Sequence, residues 1–117
     1  MGAAEFKREI YLNNSGMNIL LDIWDVSGQD KFRSMTTMYF RDADACILVY
    51  DVTDRSSFEM ISNVWLKDLQ DRAPENILTA IVGNKCDLLP KIRDDDPADT
   101  YYGSNFVTEK EGQDLAT

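Results

Sequence analysis

The segment Asp22-Ile23-Trp24-Asp25-Val26-Ser27-Gly28-Gln29 sets a carboxylate, a glycine and an amide close together at the end of an apolar run. A carboxylate at the C-terminal end of a strand, where ligands of open α/β sheets bind, can hold a water of hydrated Mg²⁺. That role falls to Asp25. Gly28 has no Cβ, so backbone there can come close to a phosphate. The Gln29 amide both donates and accepts, which suits it to orient a water toward phosphorus. The plainer reading is a strand-end aspartate followed by a turn glycine.

A second segment, Gly83-Asn84-Lys85-Cys86-Asp87, follows another apolar run. A fixed carboxylate at Asp87 can accept from two N–H groups on a guanine edge. Asn84 can bond the purine and its own loop, while the aliphatic stem of Lys85 can cover the base. N-K-x-D after an arbitrary strand is a weak signal. Placed with the first segment at strand ends of one sheet, it points to a guanine-nucleotide site.

Those segments need strands to hold them. Phe6 to Leu12 alternates, with Phe6, Arg8, Ile10 and Leu12 on the face expected to be half-buried. Asn13-Asn14-Ser15-Gly16 then turns the chain into Asn18–Trp24, which reads as an antiparallel hairpin. Ala45–Tyr50 and Ala80–Gly83, the latter extended back through Ile77 and Leu78, are continuous apolar runs. Such runs suit central parallel strands buried on both faces. Between them, Ser56 and Glu59 form an S-x-x-E box, and Ile61, Val64, Trp65 and Leu69 recur at helical spacing to about Arg72. Ala73-Pro74-Glu75 stops that helix. Strand, helix and strand make a βαβ unit with a right-handed crossover. Thr108 and Glu111 open a second helix. The expected fold is therefore α/β, a mixed sheet with an antiparallel hairpin and parallel strands.

Twelve basic and 21 acidic residues give a net charge of −9. So acidic a surface argues against nucleic acid or anionic lipid as a partner. The sequence holds no His, which excludes His-based triads, general bases and metal sites. Eight acidic and three basic residues lie between Asp87 and Thr117, and Asp94-Asp95-Asp96-Pro97-Ala98-Asp99 reads as a solvated loop. Cys46 and Cys86 stand in apolar surroundings and are expected to be small buried thiols of a reducing compartment. No apolar run is long enough to span a bilayer. Gly2 is followed by Phe6 where a myristoylation signal wants Ser or Thr, and Asp114-Leu115-Ala116-Thr117 offers no Cys for prenylation. A cytoplasmic protein with no direct membrane anchor is expected.

With these residues in view, the chain resembles the Rab branch of the Ras-like small GTPases over nearly its whole length. The family's W-D-T-A-G-Q-E-x-[FY] is similar to Trp24-Asp25-Val26-Ser27-Gly28-Gln29-Asp30-Lys31-Phe32, with Val26 and Ser27 in place of Thr and Ala. Residues Arg33 to Asp44 look like its second switch. Tyr50-Asp51-Val52-Thr53-Asp54-Arg55-Ser56-Ser57-Phe58 and Trp65-Leu66-Lys67-Asp68-Leu69 are Rab-like, and Gly2-Ala3-Ala4-Glu5-Phe6 is similar to a strand of the endosomal subgroup. The resemblance implies a P-loop NTPase-type fold and GTP binding and hydrolysis as a switch in vesicle traffic. It implies Mg²⁺ with GTP or GDP as cofactor, Gln29 as the catalytic residue that orients water, Gly28 at the γ-phosphate and Asp25 at the metal. Asn84, Lys85 and Asp87 would read guanine. Effectors or regulators would meet residues 26–41, and the family's peripheral association with endomembranes would follow.

Against that pattern, no G-x-x-x-x-G-K-[ST] occurs among Gly2, Gly16, Gly28, Gly83, Gly103 and Gly112. The phosphate cradle of the family comes from that motif. Residues 1–117 are thus expected to be a partial G domain. It would lack the first strand, the first-switch Thr and the last strand–helix unit, with an acidic loop insertion at about 89–106. Nucleotide binding by this chain alone is expected to be impaired. Its gapped sheet should either close directly, strand against strand, or self-associate. The rival expectation is a non-catalytic Rab-like interaction module that uses its second-switch surface. A third is a fragment of a longer GTPase.

Overall fold

Gly16 closes the first hairpin. β1 (Ala3–Leu12) and β2 (Met17–Val26) pair antiparallel from Ala3↔Val26 to Leu12↔Met17. Between them the Gly16 N–H donates to the Leu12 carbonyl at 2.8 Å, and Gly16 takes φ +68°. A residue without Cβ enters that left-handed region at no steric cost. The structure, a computed structural model, describes residues 3–26, 36, 38–90 and 105–117.

The register sets Phe6, Arg8, Ile10 and Leu12 opposite Ile23, Leu21, Ile19 and Met17, so the alternation does gather one apolar face. That face is open rather than half-buried. Phe6 is 57% exposed, Ile23 47%, and no residue of either strand is buried. The reason is the lack of a covering layer: among the described elements, the two strands make their extensive contacts with each other. Trp24 links the hairpin to the rest of the chain, its ring 5.2 Å from that of Tyr39.

β3 (Ala45–Asp51) and β4 (Leu78–Asn84) pair in parallel, in a register that runs from Ala45↔Leu78 to Asp51↔Asn84. The crossover between them is helical: α1 (Arg55–Met60), a π-helical turn (Ile61–Trp65) and α2 (Leu66–Arg72). Ala73 leaves in an extended conformation, as the following proline requires. The expected S-x-x-E cap gives way to Asp54, whose carboxylate accepts from the Ser56 N–H at 3.1 Å and the Ser56 hydroxyl at 2.6 Å. The helix therefore starts at Arg55, and Ser56 lies inside its first turn.

Leu48 and Tyr50 point from β3 into the core with Phe40, Val52, Ile61, Leu69 and Val107. Aromatic edges organise it: Trp65 meets Phe40 at 6.4 Å and Phe58 meets Tyr50 at 4.9 Å, both T-shaped. Burial on both faces does not follow. Ile47 and Val49, on the opposite face of β3, are 66% and 57% exposed, because among the described residues helix covers one side of this sheet and not the other. Among the described residues the strands form two two-stranded sheets, β1–β2 and β3–β4. Direct closure of β2 onto β3, one of the two expected outcomes, does not occur. Cys46 is half-buried, and burial pushes its thiol pKa up, whereas Cys86 is exposed, contrary to expectation.

α3 (Glu109–Ala116) opens with the expected capping box of Thr108 and Glu111. Arg55 locks it to the core unit. Its guanidinium donates to both Glu111 carboxylate oxygens, at 2.7 and 3.0 Å, and to the Phe106 carbonyl at 2.6 Å. The neighbouring Val107, 1% exposed, donates its N–H to the Val52 carbonyl at 2.7 Å. The Arg55 guanidinium holds the Glu111 carboxyl down to about 2, below its usual 4.5. A depressed folded-state pKa stabilises above the unfolded value and is lost as pH falls through the folded one. Arg55→Met should therefore lower the melting temperature clearly more at pH 7 than near pH 2, where the ion pair is mostly lost and the bond to the Phe106 carbonyl remains to be removed. Thermal unfolding followed by circular dichroism checks this, and an equal loss at both pH values would contradict it.

Candidate guanine-nucleotide site

β3 and β4 run parallel, so Asp51 and Asn84, paired in register, leave the sheet at the same end. Beyond Asn84 the backbone turns sharply. Lys85 takes φ 66°, ψ 32°, the sole left-handed non-glycine residue among those described. Holding a long side chain there costs roughly 1–3 kcal/mol, so its surroundings must impose it. A 3₁₀ turn (Cys86–Leu88) follows, closed by the Leu88 N–H donating to the Lys85 carbonyl at 3.0 Å.

Asp51 provides one of the constraints. Its Oδ2 lies 2.9 Å from Lys85 Nζ. Its Oδ1 accepts from the Thr53 N–H at 2.8 Å and from the Thr53 hydroxyl at 2.6 Å. These hydrogen bonds, with Lys85 alongside, hold the Asp51 carboxyl at about 2. The same pairing raises the Lys85 pKa. Val52 adds a second tether, its N–H donating to the Asn84 carbonyl at 3.1 Å. The strand exit is close-packed: a Cβ on Gly83 would come within 2.9 Å of the Tyr50 hydroxyl and of Val52 Cγ1.

Three of the six expected site residues thus come together. Asn84, Lys85 and Asp87 occupy one turn, all exposed, with Asp87 inside the 3₁₀ segment. Asp25 is exposed near the end of β2, on the separate hairpin. Gly28 and Gln29 lie outside the described residues, as do most of 26–41 and residues 91–104 of the acidic insertion. Among the described residues no group of three or more Asp, Glu, Cys or His side chains converges as a metal site. Of the residues expected at Mg²⁺ and phosphate, Asp25 alone lies among those described. Asp51 and Thr53 were not expected here. The parallel register that opposes Asp51 to Asn84 is what would have found them.

The Ras family model matches residues 1–117. The chain is 40% identical over 89 residues to Ras-related protein Rab-22A of Homo sapiens, covering 76% of this chain and 44% of that protein. It is 49% identical over 73 residues to Ras-related protein RABE1d of Arabidopsis thaliana, covering 62% and 33%. Rab-31 of Rattus norvegicus is 48% identical over 66 residues, covering 56% and 33%. The chain spans between a third and a half of the length of these curated relatives.

Proposed function

We propose, because the chain belongs to the Ras family and within it to the Rab branch, that residues 1–117 are a partial G domain. In this reading it carries the guanine-reading part of a GTP-dependent switch in vesicle traffic. The observation that carries the reading is the left-handed turn at Lys85, braced by Asp51 at the shared exit of two parallel strands. From it Asp87 accepts two N–H groups of guanine, Asn84 bonds the purine, and the Lys85 stem covers the base. Mg²⁺ with GTP or GDP is the cofactor implied. Asp25 would hold a water of the metal, Gly28 would meet the γ-phosphate, and Gln29 would orient the attacking water. Effectors or regulators would bind residues 26–41, and the protein would work in the cytoplasm at the surface of endomembranes, such as endosomes.

The alternative, a protein-interaction module that works without nucleotide, is favoured by a different observation. Trp24 is 45% exposed against Tyr39, and Met38 beside it is 73% exposed. Apolar side chains gathered on a surface commonly mark a protein interface. Titration of the chain with GDP and with ADP, followed by ligand-observed NMR at millimolar nucleotide, separates the two readings. Guanine recognition predicts saturable GDP binding that ADP does not share. Equal response to both nucleotides, or to neither, would favour the interaction module.

A further inference from the structure

We propose that Asp51 is the positioning residue of the guanine-reading loop: its carboxylate, oriented by Thr53, holds Lys85 in the left-handed turn that presents Asn84 and Asp87. The inference rests on the guanine reading for its purpose, though not for its geometry.

A left-handed lysine is not self-supporting. The short side chains of Asn and Asp can bond locally and so tolerate that conformation, whereas lysine gains nothing of the kind. Its ammonium lies instead 2.9 Å from Asp51 Oδ2. The stem must therefore run back from the turn toward β3, which places its methylenes beside the turn. Thr53 makes the brace directional. By occupying Asp51 Oδ1 with both its N–H and its hydroxyl, it leaves Oδ2 turned to the ammonium. Charge-assisted bonds of this kind are stronger and more directional than neutral ones. Val52, between the two, bonds the Asn84 carbonyl through its own N–H. Residues 51–53 thus grip 84–85 at two points, one through charge and one through backbone. Because the ammonium is already neutralised by Asp51, Lys85 acts here as a clamp on the base rather than as a free cation for phosphate.

The test uses the full 117-residue chain with Asp51→Asn, Thr53→Val, Lys85→Met and the double variant Asp51→Asn/Lys85→Met. In the parent, NMR should show the strong intraresidue HN–Hα NOE of a positive φ at Lys85 and an Asp51 carboxyl that stays ionised to about pH 2. Asp51→Asn should weaken that NOE, shift the Asn84 and Asp87 amides, and weaken GDP binding about threefold, the size expected of a partly exposed ion pair. Thr53→Val, which keeps the charge, should move the same signals less, and it serves if Asp51→Asn does not fold. If Asp51 acts through Lys85, Asp51→Asn should have no further effect on GDP affinity once Lys85 is Met. A purely structural aspartate would show the same loss in both backgrounds. Unmoved Lys85 signals in Asp51→Asn, or in Thr53→Val, would overturn the proposal even if GDP still binds selectively. Conversely, a parent that does not prefer GDP to ADP, yet loses the Lys85 turn on Asp51→Asn, would overturn the guanine reading and leave Asp51 as the brace.

Discussion

The 117-residue chain should bind Mg²⁺·GDP at least about four orders of magnitude more weakly than a site that combines the same guanine contacts with a phosphate cradle. No G-x-x-x-x-G-K-[ST] occurs within these residues. In the proposed reading, the turn at Lys85 contacts the base alone. A P-loop supplies several backbone N–H donors and a lysine to the phosphates. Each hydrogen bond to a charged group is worth roughly 1.5–3 kcal/mol. Losing only four of them removes about 6–12 kcal/mol, and every 1.4 kcal/mol is a factor of ten. The field of the chain adds to the loss. A net charge of −9 repels phosphate, and Asp51 already neutralises the nearest lysine of the turn. Titration calorimetry with GDP and Mg²⁺ should give a dissociation constant in the micromolar range or weaker, and nanomolar affinity would contradict it. Gln29→Leu should likewise leave phosphate release unchanged, since orienting a water helps only when the γ-phosphate is held and its charge offset. A Gln29-dependent turnover would show that another group in the chain replaces the cradle.

How far this was legible before the structure depends on the range of the interaction. The hairpin, the parallel pair, the crossover helix ending at Arg72 and the Thr108 capping box all follow from local periodicity and turn chemistry, and each forms. The N-K-x-D tetrapeptide is also local, so its three polar residues were picked out in the sequence, and they share one exposed turn. Asp51 was not. In sequence it only marks the end of an apolar run, and its role appears once the register sets it opposite Asn84. The helix start was misplaced by a competing local signal: Ser56 and Glu59 satisfy a capping pattern, but Asp54 reaches the same Ser56 N–H from outside the helix. Burial was the least legible quantity. Ile47 and Val49 sit in a run that reads as buried on both faces, yet whether a second layer covers them is not encoded in that run.

That uncovered surface leads to the second large effect: the 117-residue chain should self-associate at micromolar concentration. Phe6, Ile10, Leu12, Met17, Leu21 and Ile23 share one face of the hairpin, and each is at least 37% exposed. Two strands of ten residues make a face roughly 33 Å long and 10 Å wide at about 3.3 Å per residue and under 5 Å between strands. Fully burying one such side chain is worth about 1.5–3 kcal/mol. Against that gain, association costs at least about 4 kcal/mol in lost translational and rotational freedom. Partial burial of these six side chains from each partner exceeds that cost. Among the described residues the two sheets do not join, so the outer edges of β2 and β3 have no described strand beside them and offer backbone N–H and C=O groups for pairing. A second copy satisfies both demands, because the same apolar face and the same edges are present on it and an isologous contact closes on itself. Light scattering should therefore report a dimer or larger species, and Ile10→Lys with Ile23→Lys should return it toward monomer while the far-ultraviolet dichroism is kept. A parent chain that stays a folded monomer at tens of micromolar, with this face in water, would refute the argument.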